Sequence, residues 1–311
     1  MSKKGMTRRE FTAGSAISAF GWLMGSPIAA NAAKGDPIPF SSFDLMHEVR
    51  KYRKLDAYAT SDFSKKNLQN QIDFADRLHI EKFFMGMPMR PIKATPDEFR
   101  AINNKVIQGV RAFPGRMVGE FTVNPIYRQE SLDEIMRCVD EGMVGTRLYN
   151  QVKINDPMYY PIIERLTELK MIVFMHGECQ LGVGGYRMKY DAGKLPSTST
   201  PEDFVEVAKR YPETNFQFAH IGGGGDWECM CKTFENYPNI YVDTGGSNNE
   251  ENLIDFAIKY LGEDRLFFGT DNSFYQSVGK VLSSKLTEKQ KKKLFFENYN
   301  NILRKGGYHV D

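Results

Sequence analysis

The sequence predicts one α/β domain built as a (β/α)8 barrel. From Lys54 onward, short apolar, β-rich runs alternate with longer segments of helical period, and the count of such pairs reaches eight. An eight-fold strand-helix repeat in one chain closes most economically as a barrel. An open doubly wound sheet is the alternative, and the lack of a Gly-x-Gly-x-x-Gly turn after the first run disfavours it.

The chain begins with the pattern of a twin-arginine export signal. Thr7–Phe11 reads TRREF, and the uncharged stretch Thr12–Met24 that follows is too short for a membrane span. Ala30-Asn31-Ala32 is a small-residue cleavage site. We expect a signal peptide over 1–32, cleavage after Ala32 by way of the Tat export machinery, and a periplasmic or exported protein without stable membrane insertion. A basic, disordered tail is the alternative.

The charge of the remaining chain excludes one class of partner. Removing 1–32, whose net charge is +3, takes the whole-chain charge of +2 to −1, which gives no electrostatic support to nucleic-acid binding. The 279 residues left of 311 suffice for one large domain with a full core. We expect an N-terminal extension over 33–53, with a short helix Phe43–Tyr52, and the barrel over 54–311.

Each strand of the predicted barrel is a short apolar run. The eight candidates are LDAYA from Leu55, KFFMGM from Lys82, MVGEFTV from Met117, GTRLYN from Gly145, MIVFMH from Met171, FQFAH from Phe216, IYVDTG from Ile240 and RLFFGTD from Arg265. The predicted helices are Asn67–His79, Pro96–Phe113, Leu132–Glu141, Pro157–Leu169, Pro201–Tyr211, Trp227–Tyr237, Glu251–Leu261 and Thr287–Arg304. Thr95-Pro96 and Thr200-Pro201, each followed by acidic residues, mark two helix starts.

Three chemically capable side chains stand where strands end. His176 closes MIVFMH, His220 closes FQFAH, and Asp271 closes RLFFGTD. The carboxyl ends of barrel strands share one rim, where such enzymes keep their chemistry. The sequence therefore predicts that these three residues meet in one pocket.

Several motifs resemble those of the amidohydrolase superfamily, in its amidohydrolase-related branch. They are FMHGE, FAHIGGGGDW, YVDTGG, FFGTDNSF, the terminal ENYNNILR, and FPGRMVGEFTVNP near strand three. The branch includes metal-dependent hydrolases, lactonases and carboxylate decarboxylases. The resemblance implies that His176 binds a metal, His220 assists catalysis, and Asp271 binds metal and moves the proton. The family's first strand ends in His-x-His, but the matching positions in this chain are Tyr58 and Thr60.

That departure leaves the metal open. A catalytic zinc generally needs three protein ligands and a water, and the inherited set keeps only His176 and Asp271. Recruitment of His220, Asp56 or Glu178 would restore a third ligand, although Glu178 also fits a solvated loop carboxylate. We therefore expect either one divalent metal ion, zinc first, or a metal-free enzyme. In a metal-free site Asp271 and His220 act as base and acid, and Tyr58 donates to an oxyanion.

Further residues are candidates for substrate binding. Arg147, at the end of strand four, can fix a substrate carboxylate, or it can form a salt bridge within the barrel wall. Arg187 lies in the long loop Leu181–Thr200 and either contacts substrate or belongs to a disordered loop. Asn124 is expected to face the mouth of the barrel. The glycines of 222–225 permit close backbone approach to an anion, and Asp226 is a helix cap.

Three functions remain open on this basis. The first is an exported hydrolase of a small, carboxylated or cyclic ester, lactone or amide at the C-terminal mouth of the barrel. The second is a nonoxidative carboxylate decarboxylase of the same family. The third is an inactive barrel that serves as a binding or accessory protein, which the missing His-x-His suggests. A small-molecule substrate and a homo-oligomer are compatible with the first two.

Overall fold

A computed structural model describes residues 44–179 and 197–311. Contacts between residues group Met46–Asp311 into one compact unit. The predicted signal peptide over 1–32, its cleavage after Ala32, and Arg187 lie outside the described residues.

Eight strands alternate with helices, as the sequence predicts. The strands are β1 (Lys54–Thr60), β2 (Ile80–Gly86), β3 (Met117–Phe121), β4 (Gly145–Thr146), β5 (Val173–His176), β6 (Phe216–Ala219), β7 (Ile240–Asp243) and β8 (Leu266–Phe267). The helices are α1 (Leu45–Arg50), α2 (Lys65–Leu78), α3 (Pro96–Ala112), α4 (Arg128–Asp140), α5 (Tyr160–Glu168), α6 (Pro201–Arg210), α7 (Trp227–Phe234), α8 (Leu253–Leu261), α9 (Phe274–Ser283), α10 (Glu288–Lys292) and α11 (Asn298–Lys305).

The strands form parallel sheets in sequential order. One sheet has the order β1-β2-β3-β4 and the other β5-β6-β7-β8. Backbone hydrogen bonds join the two sheets at both seams. Leu148 N–H donates to Phe174 O at 2.9 Å beside β4 and β5, and Ala57 N–H donates to Phe268 O at 2.8 Å beside β8 and β1. Sequential order differs from the doubly wound sheet, in which the order reverses part-way, so that alternative is wrong.

Apolar packing between strands and helices supplies the main core. Phe83, Val106, Ile135 and Phe204 are fully buried in one continuous cluster. A second cluster lies at the starts of the strands, where Tyr299 of α11 packs among residues of β1, β2 and β8. The site described below lies at the opposite, carboxyl ends of the strands.

Capping residues start the helices where the sequence indicates. Thr95 and Glu98 form a capping box at α3, and Thr200 and Asp203 form another at α6. The side chain of Asp226 accepts from Cys229 N–H at the start of α7, as predicted. In the described chain no helix is both apolar enough and long enough to cross a bilayer.

Four elements differ from the prediction. Strands β4 and β8 are only two residues long, so Arg147 and Asp271 lie in the segments that follow them. Helix α9 was not predicted, because glycine, serine and β-branched residues give its sequence a weak helical preference. Its signal is the spacing of Phe274, Val278 and Val281, which are buried on one face. The last predicted helix, Thr287–Arg304, is divided into α10 and α11 by a π-helical turn over Lys293–Glu297.

Candidate active site

A cavity of about 370 Å³ opens at the carboxyl ends of the strands. Small-molecule sites in proteins typically measure about 300–1,000 Å³. Residues from seven of the strand ends surround this cavity, including five that the sequence marks as site residues. Its lining consists of Tyr58, Thr60, Pro88, Arg90, Tyr149, His176, Glu178, His220, Gly223, Gly246, Ser247 and Asp271.

His220 is held in one orientation by a buried carboxylate. Its Nδ1 lies 2.7 Å from Oδ1 of Asp243, the last residue of β7, and both side chains are buried. Asp243 also accepts hydrogen bonds from Gly245 N–H at 2.9 Å and from Gln217 Nε2 at 3.2 Å. An ionised carboxylate only accepts, so Nδ1 of His220 carries the proton and Nε2 is left to exchange one.

Asp271 lies on the other side of that imidazole. Its Oδ2 is 3.5 Å from His220 Nε2, and its side chain is 35% exposed. The backbone of Asp271 has a φ of 45°, and its N–H donates to Tyr58 O at 2.9 Å. The pair therefore connects a buried imidazole to a carboxylate in contact with solvent, which suits proton transfer.

His176 belongs to the same cavity. Its Nε2 lies 3.7 Å from Oε1 of Glu178, and its ring stacks on Tyr149 with centroids 5.3 Å apart. The rings of His176 and His220 are 5.9 Å apart. The Nδ1 atom of His176 is buried and has no hydrogen-bond partner among the described residues. The predicted meeting of His176, His220 and Asp271 is thus what the structure shows.

The ring of Tyr58 packs against the ring of His220. Its ring centroid is 4.0 Å from that of His220, and the guanidinium carbon of Arg147 lies 3.9 Å from the Tyr58 ring on another side. Burial raises the pKa of the Tyr58 phenol above its ordinary value, while the charge of Arg147 opposes that shift. The phenol therefore stays protonated and is able to donate a hydrogen bond.

Arg147 does not line the cavity. It is 1% exposed, pairs with Glu120 at 3.2 Å, and donates to Ala59 O at 2.6 Å. The structure thus corrects its proposed contact with a substrate carboxylate and shows the internal salt bridge that was the alternative. The cation that does line the cavity is Arg90, which the sequence analysis missed.

Asn124 is a second correction. Its side-chain Nδ2 donates to the carbonyls of Ile92 and Ala94 at 3.0 and 2.9 Å, so it is buried and holds a loop instead of facing the mouth. A polar residue at the end of a strand can either face the cavity or hold a neighbouring loop, and only the tertiary contacts show which of these it does.

Gly223 and Gly225 are required for close packing, and their N–H groups are not free to bind an anion. A Cβ on Gly223 would lie 2.0 Å from Gly177 O, and one on Gly225 would lie 1.8 Å from Cys179 O. The N–H groups of Gly223 and Gly225 already donate to backbone carbonyls. These glycines let the loop after β6 pass directly against the segment after β5, where His176 ends its strand.

Asp56 is not available as a metal ligand. It is fully buried and accepts from Thr270 N–H at 2.9 Å and from Tyr58 N–H at 3.1 Å, which ties β1 to the end of β8. Burial raises its pKa to about 8, against the effect of its hydrogen bonds. Its role is to join the two sheets at their seam.

The donor atoms do not fit a three-ligand metal site. Within the ranges 44–179 and 197–311, no group of three His, Cys, Asp or Glu side chains is arranged to hold a metal ion. Nδ1 of His220 is hydrogen-bonded to Asp243. Strand β1 contributes Tyr58 and Thr60 to the cavity instead of nitrogen ligands. The predicted recruitment of Glu178 therefore gives a contact with His176 and not a complete ligand set.

A buried lysine from α9 holds one wall of the cavity. Nζ of Lys280 donates to the carbonyls of Thr244 at 2.8 Å and Asn248 at 3.1 Å, and burial lowers its pKa to about 8. The segment between those carbonyls includes Gly246, which lines the cavity. Asp243 and Lys280 were both missed by the sequence analysis. The signal for Asp243 was its place towards the end of a predicted strand run, YVDTGG. His220 and Asp271 hold similar places in their own runs.

A model of the amidohydrolase family matches residues 69–298. The chain belongs to the amidohydrolase family. No curated protein matches it in sequence.

Solved structures that resemble this amidohydrolase include several decarboxylases. One is the 2,6-dihydroxybenzoate decarboxylase from Rhizobium, at 16% identity and a TM-score of 0.64, covering 81% of this chain and 99% of that one. Another is a dihydroxybenzoic acid decarboxylase from Polaromonas with bound manganese and 2-nitroresorcinol, at 16% identity, a TM-score of 0.63 and coverage of 81% and 97%. A third is the 5-carboxyvanillate decarboxylase from Sphingomonas paucimobilis, at 16% identity, a TM-score of 0.61 and coverage of 76% and 82%. At this identity the likeness establishes the fold.

Proposed function

We propose that this amidohydrolase is a nonoxidative decarboxylase of small aromatic carboxylic acids, with its site at the mouth of a closed (β/α)8 barrel. The observation that carries the proposal is one cavity in which a proton-handling group, His220 with Asp243 and Asp271, lies together with a cation, Arg90. Decarboxylation requires a bound anion and a proton for the carbon that loses its carboxylate. The fold shared with three decarboxylases supports the reaction class.

The side chains of the cavity account for each proton in the reaction. His220, protonated on both nitrogens, gives the Nε2 proton to the ring carbon that bears the carboxylate, and a ring π pair forms the new C–H bond. The bond between that carbon and the carboxylate then breaks, its electron pair restores the aromatic ring, and CO₂ leaves. Asp271, the more exposed of the two partners, passes a solvent proton back to His220. The carboxylate of Asp243 stabilises the imidazolium throughout.

No step of this scheme uses a metal ion, because the donor atoms do not complete a three-ligand set. The manganese in the Polaromonas enzyme makes metal dependence a direct test. Decarboxylation by these side chains alone should persist after treatment with a chelator and subsequent desalting. Loss of activity on chelation, with recovery on added manganese or zinc, would contradict the metal-free scheme.

We further propose that the enzyme works after export, by the twin-arginine signal over 1–32. Arg8→Lys with Arg9→Lys should leave uncleaved precursor in the cytoplasm, because that export route reads the arginine pair. Fractionation of cells that express either form measures this. Equal export of both forms would contradict the proposal.

Hydrolysis of an ester or lactone is the second candidate. The observation in its favour is that neutral His220, oriented by Asp243, presents Nε2 as a general base for water, with the Tyr58 phenol beside it. The two reactions differ in their products, because hydrolysis releases an acid whereas decarboxylation consumes a proton and releases CO₂.

One experiment separates these functions. The mature protein is incubated with hydroxybenzoic acids and, separately, with aryl esters and lactones, while CO₂ and pH are recorded. We expect CO₂ from a hydroxybenzoic acid, abolished in His220→Gln and retained in His309→Gln, a histidine about half-exposed in the C-terminal tail. Acid release from an ester, lost in His220→Gln, would favour the hydrolase. Inertness towards both panels would contradict both enzymatic functions and favour a binding role.

A further inference from the structure

We propose that Asn248 is a positioning residue, which fixes the His220 imidazole in the cavity by joining the loop after β6 to the loop after β7. These are the β6 loop, 220–226, and the β7 loop, 244–252. The inference rests on the proposed role of His220 in proton transfer, and it holds for decarboxylation and for hydrolysis alike. It follows from the hydrogen bonds of Asn248 and from the packing around the imidazole.

The side chain of Asn248 links the two loops directly. It belongs to the β7 loop and is 6% exposed. Its Nδ2 donates to Ile221 O at 2.9 Å and to Gly225 O at 3.1 Å, and these two carbonyls lie near opposite ends of the β6 loop. One amide group therefore ties both ends of the β6 loop to the β7 loop.

The two loops approach each other closely at Gly222. A Cβ on this residue would lie 2.8 Å from Nδ2 of Asn248 and 2.8 Å from the backbone nitrogen of Trp227, and its φ is 70°. The β6 loop is thus packed between Asn248 and the start of α7, without room for a side chain at this position. A change at Asn248 acts on the backbone two residues after His220.

The His220 imidazole lies between the same two loops. His220 is the first residue of the β6 loop, and two glycines of the β7 loop pack on its ring. A Cβ on Gly245 would lie 2.8 Å from Nδ1 of His220, and one on Gly246 would lie 3.0 Å from its Cγ and Cδ2. The hydrogen bond to Asp243 fixes one nitrogen of the ring. The packing of the two loops restrains the rest of the ring, and with it the place of Nε2 in the cavity.

The β7 loop is itself supported from behind, by Lys280 of α9. Nζ of Lys280 donates to the carbonyls of Thr244 at 2.8 Å and of Asn248 at 3.1 Å. Asn248 therefore accepts a hydrogen bond from α9 through its backbone and donates two to the β6 loop through its side chain. It is the residue through which α9 supports the loop that begins with His220.

The first measurement is turnover of Asn248→Ala in whichever of the two reactions the wild-type protein catalyses. Asn248 does not line the cavity, so we expect kcat to fall by about 10- to 100-fold, as for a catalytic group displaced by up to about 1 Å, and KM to change much less. Asn248→Asp removes both donors without opening a cavity, and should show the same loss; it replaces Asn248→Ala if that variant does not fold. Asn249→Ala is the matched control with wild-type kcat, because Asn249 is exposed in the same loop and donates to Ser247 O.

The second measurement does not depend on turnover. In protein labelled with ¹⁵N-histidine, the Nδ1 proton of His220 is the ring N–H signal that is absent from the spectrum of His220→Gln. We expect this proton to exchange with solvent slowly in the wild-type protein and in Asn249→Ala. It should exchange about 10-fold faster in Asn248→Ala, because a ring that is no longer held opens to water more often. Urea unfolding of the same samples gives the global stability.

The two measurements distinguish this inference from the proposed reactions. Wild-type kcat and wild-type exchange in Asn248→Ala would overturn the inference. So would a fall in kcat with unchanged exchange at His220, or faster exchange that global unfolding explains in full. Faster local exchange at His220 in a protein without either activity would support the positioning role and contradict both reactions.

Discussion

Asp243→Asn tests whether the buried carboxylate behind His220 drives proton transfer. The substitution keeps the shape of the side chain and removes its charge. Oδ1 of Asp243 accepts from both His220 and Gly245, so the new amide should keep its oxygen at that position. Its NH₂ group then faces Gln217, whose Oε1 is buried without a hydrogen-bond partner among the described residues and becomes an acceptor when the Gln217 amide rotates by 180°.

The expected loss follows from the charge alone. A hydrogen bond to a charged group contributes about 1.5–3 kcal/mol, against about 0.5–1.5 kcal/mol for a neutral pair. The imidazolium of His220 should therefore lose about 1.5 kcal/mol of stabilisation, which corresponds to about a tenfold fall in kcat. KM should change little, because Asp243 does not line the cavity. The free energy of unfolding should fall by less than about 1 kcal/mol, since the hydrogen-bond pattern is kept.

Steady-state CO₂ release and urea unfolding measure the two quantities on the same preparations. Asp133→Asn is the matched control, because that carboxylate is exposed on α4 and accepts a hydrogen bond from Gln129. A wild-type kcat in Asp243→Asn over the full pH range would refute the role of the His220–Asp243 pair. A fall in kcat that parallels a large loss of stability would show that Asp243 acts on the fold and not on the proton.

Three further predictions concern buried charges. Arg147→Met leaves Glu120 buried without its cation and should lower the free energy of unfolding by about 3–5 kcal/mol in urea titrations, and the added Glu120→Gln change should recover most of that loss. The pKa of Asp56 is about 8 in the fold against 3.8 for the free side chain, so the folded state alone holds its proton between these values and stability falls as pH rises through them. Asp56→Asn should flatten that slope by up to ~1.4 kcal/mol per pH unit in unfolding curves, and parallel curves would contradict it. Lys280→Met leaves the carbonyls of its loop without their donor and should reduce kcat/KM more than Lys280→Arg does, which the CO₂ assay measures; equal activity of both variants would contradict a positioning role.

The eight strands and most of the helices follow from local patterns. Runs such as FQFAH and IYVDTG are short and mostly apolar, as expected for buried parallel strands, and Thr-Pro followed by acidic residues specifies a helix start. Helix α9 was missed because its propensity is weak, and its helical state depends on burying Phe274 and Val278 against neighbouring helices. The packing that decides this element is not a local property.

The candidate site was predictable only in part, because some of its residues are placed by contacts that are not local in sequence. His176 ends β5, and His220 and Asp271 lie in the segments that follow β6 and β8, so the shared rim of parallel strand ends brings them together whatever the details of packing. Asp243 also ends a strand, but an aspartate in a strand can equally join two sheets, as Asp56 within β1 does. Arg90 sits in a loop with no periodic pattern, and tertiary contacts, among them hydrogen bonds from Asn124 and Gln151, fix that loop beside the cavity.

The sequence alone determined the alternation of strands and helices, the family motifs, and which strands end in groups able to carry a proton. These are local properties, set by side-chain periodicity and by residue type. The tertiary structure decided the partners: Asp243 for His220, Glu120 for Arg147, and the cavity for Arg90. A charged side chain takes its role from its burial and its nearest opposite charge, and the partners of His220 and Arg147 lie 23 and 27 residues away, on neighbouring strands, beyond the reach of a local pattern.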